Sequence, residues 1–427
     1  MKRCEDYPEL DLFSNECENP HIEKIQWAEI KTSTILSNDI TSVVFDIPKA
    51  SGRKMLDLSR LQLMIDIMCS RTGGSTPVQA PVNNMLHSMI ENCIIKLNDN
   101  VLMDSNKMYN YSAYLLDLLD TTQEQKEGMM TAQGWYVDTP KHFDVVEGVD
   151  NKGFKTRQEL RGLVSLIGKL HSELFNQERY FINDVNINIE LTLAKLPFYY
   201  MANETNPAKY KMEIKDAKIY VPYVHVSEKT MDDLEEQLKK TPVLYPIQRI
   251  HTKSFPIDTK STSVTIEEIS RGQMPKKVII GVVTDKRKAG NLKLNPFNFD
   301  GGAAEFNITK MELNVDGMPY AKRALTPDFK KDYGKTYMNF YESLNFTQDG
   351  TNTPAIPMDD YKNGYCLFPF NLNPGCCSDP GVFKKDGLLS LDIEFEKAPT
   401  KTLQGIVLGV YDNTTSIDKD WHFTKDW

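Results

Sequence analysis

Catalysis or metal binding by this chain would fall to a small set of residues, and their spacing is informative. Zinc sites place Cys or His in short-spaced pairs such as CxxC or HExxH. Neither pattern occurs: Cys376 and Cys377 are adjacent, and His21, His87, His142, His171, His225, His251 and His422 stand singly. Lone histidines in a strand-rich chain are mostly packed or surface side chains, so no metal or cofactor ligand is assigned. A hydrolase nucleophile of the GxSxG type needs a sharp strand-to-helix turn. Ser165 lies between Gly162 and Gly168 at the wrong spacing, and its neighbours Val164 and Leu166 read as strand. Gly73-Gly74-Ser75-Thr76 lacks the Walker lysine and Gly301-Gly302 lacks a GxGxxG frame, so both read as surface loops. The run Asp285-Lys286-Arg287-Lys288 reads as a charged turn rather than a nucleic-acid patch. Carboxylates abound, and a glycosidase pair has only to meet in space, so counting does not decide that case. No catalytic residue is assigned.

Composition narrows the classes further. The 427 residues are 40% hydrophobic and 26% charged, enough for real cores, and the length suits two large all-β domains. The formal net charge of -9 argues against a surface that grips nucleic acid through its phosphates. The N-terminus turns acidic after Lys2 and Arg3 and carries no signal-like apolar stretch; no run approaches the roughly 18 residues of a membrane span. With seven scattered cysteines, the expectation is an intracellular, reducing compartment and free thiols.

The elements that would position any site are mostly strands. Leu61, Leu63, Ile65 and Ile67 alternate with Gln62, Met64, Asp66 and Met68, and the odd positions from Val185 to Leu193 alternate with polar ones. Such period-two patterns put one set of side chains in a core and the other toward water. Further strands are expected at Ser42 to Asp46, Asn92 to Leu97, Val264 to Ile269, Lys277 to Val283, Phe306 to Val315, Leu388 to Phe395 and Leu403 to Tyr411. One helix is expected after a Thr230 cap, with Met231, Leu234 and Leu238 on one face, packed over a sheet end; a weaker one runs from Tyr111 to Leu119. Gly, Pro, Asn and Asp turns separate the strands, which points to sandwiches or barrels.

A polar break at Asn203 to Pro207 divides two strand-rich halves. Pro81 and Asn83 are matched by Pro296 and Asn298 at an offset of 215, and Leu97-Asn98 by Leu313-Asn314 at 216. Ile189-Glu190-Leu191 is echoed by Ile393-Glu394-Phe395 at 204. The same order at nearly constant offset suggests a duplicated domain.

These segments also carry a family resemblance. Gly272-Gln273-Met274-Pro275, the strand Val278 to Val283 and Asn295-Pro296-Phe297-Asn298-Phe299 resemble the second jelly roll of the major capsid proteins of Polinton/Maverick-like and adintovirus-like double-stranded DNA viruses. Glu9-Leu10-Asp11-Leu12-Phe13 resembles the family's N-terminal arm, Asp57-Leu58 its early strand, Ala80-Pro81-Val82-Asn83-Asn84 before Leu86-His87-Ser88 its next motif, and Leu97-Asn98 its hairpin. After Phe13 the family continues toward a Pro-Thr-Gln segment, whereas this chain reads Ser14 to Pro20 without it, which puts the arm's contacts in doubt.

The resemblance implies an all-β fold of two tandem eight-stranded jelly rolls with a few short helices in loops. The divisions would be an arm at 1–29, jelly rolls at 30–205 and 209–412, and a tail at 413–427. It further implies a non-enzymatic homotrimer, a pseudo-hexameric capsomer that tiles an icosahedral shell. The shell would enclose double-stranded DNA without reading its sequence, with neighbouring capsomers and penton or minor capsid proteins as partners. The implied location is the virion, with synthesis in the host cytoplasm and the nucleus open as a place of assembly. Leu10, Leu12 and Phe13 in the arm and Trp421, Phe423 and Trp427 in the tail are the candidate inter-subunit contacts, since each puts apolar groups on a segment too short for its own core. Two other classes stay open: a glycan-binding or glycan-processing β-sandwich, and a cellular scaffold derived from a capsid gene.

Overall fold

A computed structural model of the chain describes residues 21–37, 40–71, 78–160, 162–257, 260–300, 306–320, 324–344, 354–373 and 385–427. The first half supplies β1 (Ile22–Lys31), β2 (Ser42–Ile47), β3 (Gln62–Arg71), β4 (Ile90–Leu97), β5 (Asn100–Asp104), β6 (Gly162–Gly168), β7 (Ile187–Leu193) and β8 (Tyr210–Val226). The second supplies β9 (Val243–Ile257), β10 (Ser263–Gln273), β11 (Lys277–Thr284), β12 (Ile308–Val315), β13 (Met318–Pro319), β14 (Leu367–Asn371), β15 (Asp386–Phe395) and β16 (Leu403–Ile417).

These sixteen strands pair antiparallel, in the same order in the two halves. The first half forms sheets in the order β1-β8-β3-β6 and β2-β7-β4-β5. The second forms β9-β16-β11-β14 and β10-β15-β12-β13, the same two orders with every strand eight places later. Eight antiparallel strands wound into two four-stranded sheets make a jelly roll, so the chain is a double jelly roll. The alternation read from sequence is what buries the sheets: Leu63, Ile65 and Ile67 of β3 and Ile187, Ile189 and Leu191 of β7 all point into the core. The echo of Ile189-Glu190-Leu191 by Ile393-Glu394-Phe395 is real, since Ile189 pairs with Phe45 and Ile95, and Ile393 with Val264 and Met311, in matching places.

Hairpin chemistry is repeated as well. Asn98 and Asp99, both at positive φ, connect β4 to β5, and Asp316 and Gly317, also at positive φ, connect β12 to β13. Two such residues form the tight turn whose twist suits a hairpin. The structural partner of Asn98 is therefore Asp316; Asn314, matched to it by sequence, lies inside β12.

Three expectations need correcting. The polar break at 203–207 is not where the chain passes between jelly rolls, because β8 follows it and pairs with β1 and β3 of the first. The passage is made by the helix Glu228–Leu238, between β8 and β9. A polar loop shows where one element ends, not which sheet the next strand joins. For the same reason β1 takes up residues assigned to the arm, and β16 runs past 412 to Ile417. The helix itself starts after Ser227, whose extended backbone makes it the cap; Thr230 is already inside and its hydroxyl bonds the Ser227 hydroxyl at 2.8 Å. Met231 is the helix's buried residue, packed with Val224 and Val226 at the end of β8.

Candidate assembly surfaces

In a double jelly roll the working surfaces are those that fix one roll against the other and those left for neighbours. The first is built largely by the segment between β5 and β6. Trp135, Asp138, Phe143 and Arg157 are fully buried there. Arg157 donates to Asp138 at 2.5 Å, and through Nε to the Pro81 carbonyl at 2.8 Å. The other carboxylate oxygen of Asp138 accepts the Asn295 amide at 2.9 Å, so one buried ion pair touches both duplicated Pro/Asn segments. Beside it Arg287 grips Asp144 with two bonds of 2.6 and 2.7 Å and donates to the Asn295 carbonyl. The charged run at 285–288, expected as a charged turn, is a short helix whose Arg287 is buried in this junction. Its partner is 143 residues away in sequence, beyond the reach of local pattern.

Apolar packing completes the junction. Phe297 stacks on Tyr114 with ring centroids 4.0 Å apart and planes 3° from parallel, and Tyr114 stacks in turn on Trp135. Tyr111 meets Phe198, Phe297 and Phe299 edge-on, and its hydroxyl donates to the Pro296 carbonyl. The Asn-Pro-Phe-Asn-Phe stretch thus joins the rolls. Gly364, at φ +119°, lies against the Phe143 ring, which leaves no space for a Cβ.

Outward surfaces fall at edges and ends. Among the described residues strand β1 pairs with β8 alone, and it presents Ile25 and Trp27, the latter 49% exposed, on an edge strand. Exposed edges and apolar patches are templates for another chain. The tail folds back: Phe423–Lys425 pairs with β16, and Lys425 donates to the Val101 and Leu102 carbonyls of β5. Trp421 and Phe423 are half-buried against the core, while Trp427 is 39% exposed, with Arg249 and Lys425 over its ring. Leu10, Leu12 and Phe13 lie outside the described residues.

The residues weighed for chemistry have structural places. Ser165 sits in β6 opposite Asp66 and donates to it at 2.6 Å. Among the described residues Cys69 and Cys93 are free thiols, and burial pushes Cys69 up to about 11. Asp120 and Glu173 line a cleft between the rolls, and burial raises the pKa of both. Glu173 accepts the Ile250 N–H at 3.1 Å, which fixes it to β9. Of the histidines that stand singly in sequence, the fold brings His87 and His171 together over Asp117, with ring centroids 4.8 Å apart. No helix of the described residues is long and apolar enough to cross a membrane.

The double jelly roll of this chain is shared with viral capsid structures. The Sputnik virophage structure superposes with a TM-score of 0.67 over 100% of this chain and 92% of that one, at 11% identity. The mavirus major capsid protein gives 0.52 over 94% and 90% at 13% identity, and the Faustovirus major capsid protein 0.55 over 94% and 92% at 8%. These neighbours are structural proteins of capsids, not enzymes. In sequence, the Caenorhabditis elegans protein F54H12.2 is 24% identical over 347 residues, covering 80% of each chain. No family model matches.

Proposed function

We propose that this chain is a major capsid protein of the Polinton- and adintovirus-like kind, a homotrimer that forms a pseudo-hexameric capsomer and tiles an icosahedral shell around double-stranded DNA. The carrying observation is the strand order, repeated without change in two rolls that share one junction. Three copies would place six similar rolls in a ring, so a threefold assembly could occupy a sixfold position. The arm would be the residues before β1, the rolls 22–226 and 243–417, and the tail the remainder, with the helix Glu228–Leu238 as the bridge. The virion is the location that follows, with neighbouring capsomers and penton or minor capsid proteins as partners. Host cytoplasm as the place of synthesis and the nucleus as a place of assembly belong to the same proposal. The net charge of -9 suits enclosure of DNA without a tight grip on it.

The arm residues Leu10, Leu12 and Phe13 and the tail residues Trp421, Phe423 and Trp427 are proposed contacts between subunits; Trp427 is exposed, as is Trp27 on the β1 edge. Light scattering of the purified chain should give about 146 kDa, three times the 48.8 kDa chain, with pseudo-hexagonal outlines in negative stain. A stable monomer would overturn the capsid reading. Trimers that never close into shells would instead favour a capsid-derived scaffold, and a glycan held in the cleft of Asp120 and Glu173 would favour a lectin or glycosidase. Deleting Asp418 to Trp427 also removes the strand on β16, so Trp427→Ala is the cleaner test. It should leave the trimer intact and lower the yield of closed particles; unchanged particle yield removes Trp427 from the interface.

A further inference from the structure

Three segments far apart in sequence converge beneath the junction of the rolls: the short helix Met85–Ser88 with His87, the helix Tyr109–Leu119 with Asp117, and the turn after β6 with His171. His171 Nε2 lies 2.9 Å from Asp117 Oδ1, and the ligand atoms of all three residues lie within 4.8 Å of one another. Each is oriented by a neighbour. Tyr109 Oη meets His87 Nδ1 at 3.1 Å and accepts the His171 backbone N–H at 3.2 Å. Asp117 Oδ2 accepts the Asn84 amide at 2.7 Å and the Gln133 amide at 2.9 Å.

These bonds leave one atom over. His87 is fully buried, its Nδ1 is engaged, and its Nε2 has no hydrogen-bond partner. Buried polar atoms in native structures are almost always satisfied, and a bound ion is one of the explanations an orphan calls for. An imidazole fixed through its second ring nitrogen, as His87 is, and a carboxylate held by amides are outer-layer features of metal sites, while His171 is placed by its backbone and by Asp117.

We propose that His87, His171 and Asp117 bind one divalent transition-metal ion of the zinc class. Two imidazoles and a carboxylate suit that class, with a water or a further ligand in the fourth position. Metal–ligand bonds of about 2.0–2.2 Å put tetrahedral ligand atoms roughly 3.2–3.5 Å apart. A separation of up to 4.8 Å would therefore close by up to about 1.5 Å on binding, and the Asp117–His171 hydrogen bond would be replaced by bonds to the ion. His171 is 18% exposed, which gives the ion a way in. A bound ion would tie together the helix that carries Tyr111 and Tyr114, and with it the junction of the rolls.

The test uses the full chain freed of metal with a chelator and titrated with Co²⁺ as a spectroscopic stand-in for Zn²⁺. Wild type should bind one equivalent with visible d–d bands and no thiolate charge-transfer band, and Zn²⁺ should displace the Co²⁺ and raise the melting temperature. His171→Asn, at the rim, should weaken binding at least 100-fold with an unchanged circular dichroism spectrum, while His422→Asn should bind as wild type. No saturable binding by wild type would overturn the site. Equal affinity in His171→Asn, or a thiolate band in wild type, would overturn it too by locating the ion elsewhere. If His171→Asn does not fold, His422→Asn still tests the assignment, because it disrupts the exposed Asp418, Asp420 and His422 cluster and a loss of binding there would place the ion at the tail and overturn the site.

Discussion

Replacing Asp138 by Ala should loosen the two rolls from each other at a cost read directly from the junction. Asp138 and Arg157 are 1% and 0% exposed and 2.5 Å apart, so removing the carboxylate leaves a guanidinium charge buried without its counter-charge. Breaking such a pair from one side costs about 3–5 kcal/mol. The amides of Asn151 and Asn295, which also donate to Asp138, lose their acceptor, and each orphaned group adds a penalty on the order of 1 kcal/mol. Arg157→Leu should be costly for the mirror reason, with the Pro81 and Tyr136 carbonyls left unsatisfied. Once the first partner is gone, removing the second relieves a buried charge. The double variant should therefore cost less than the two singles added, by a coupling on the order of 3 kcal/mol. Urea denaturation followed by tryptophan fluorescence reports on this, because Trp135 is buried three residues from Asp138. A loss below about 1 kcal/mol for Asp138→Ala, or strict additivity in the double variant, would show that the pair does not hold the junction.

Phe297→Ala removes a fully buried ring from the Tyr114 stack and should cost about 3–5 kcal/mol, seen as a lower urea midpoint. Gly364→Ala places a methyl group against Phe143 at a φ that only glycine adopts easily; a cost of about 2–4 kcal/mol is expected, partly relieved by Phe143→Ala in calorimetry. His251, which meets Asn106 at 3.4 Å across the rolls, has its pKa lowered from 6.5 to about 4 by burial and by Lys253 and Arg249. The unfolded chain thus takes up this proton below pH 6.5 while the folded one resists until about 4, so stability falls on acidification through that window. Allowing for partial exposure, the loss is about 1–2 kcal/mol. His251→Asn should flatten that part of the melting profile, and an unchanged pH slope would rule the residue out.

The sequence by itself determined the strands and their faces. Leu63, Ile65 and Ile67, or Ile189 and Leu191, alternate because a strand turns successive side chains to opposite sides, and that rule is local. Repetition of those local rules revealed the duplication, and the motifs that contain Phe297 and Phe299 pointed to the right fold. Tertiary structure alone decided who meets whom. It placed β8 in the first roll although a polar break precedes it, sent Arg287 to Asp144, and set His87 beside His171. Each of these pairings spans dozens of residues or more and depends on how whole sheets pack. Burial turned the same side chains from solvated charges and lone imidazoles into a junction and a candidate metal site, because a polar group removed from water must find its partner wherever the fold has put one.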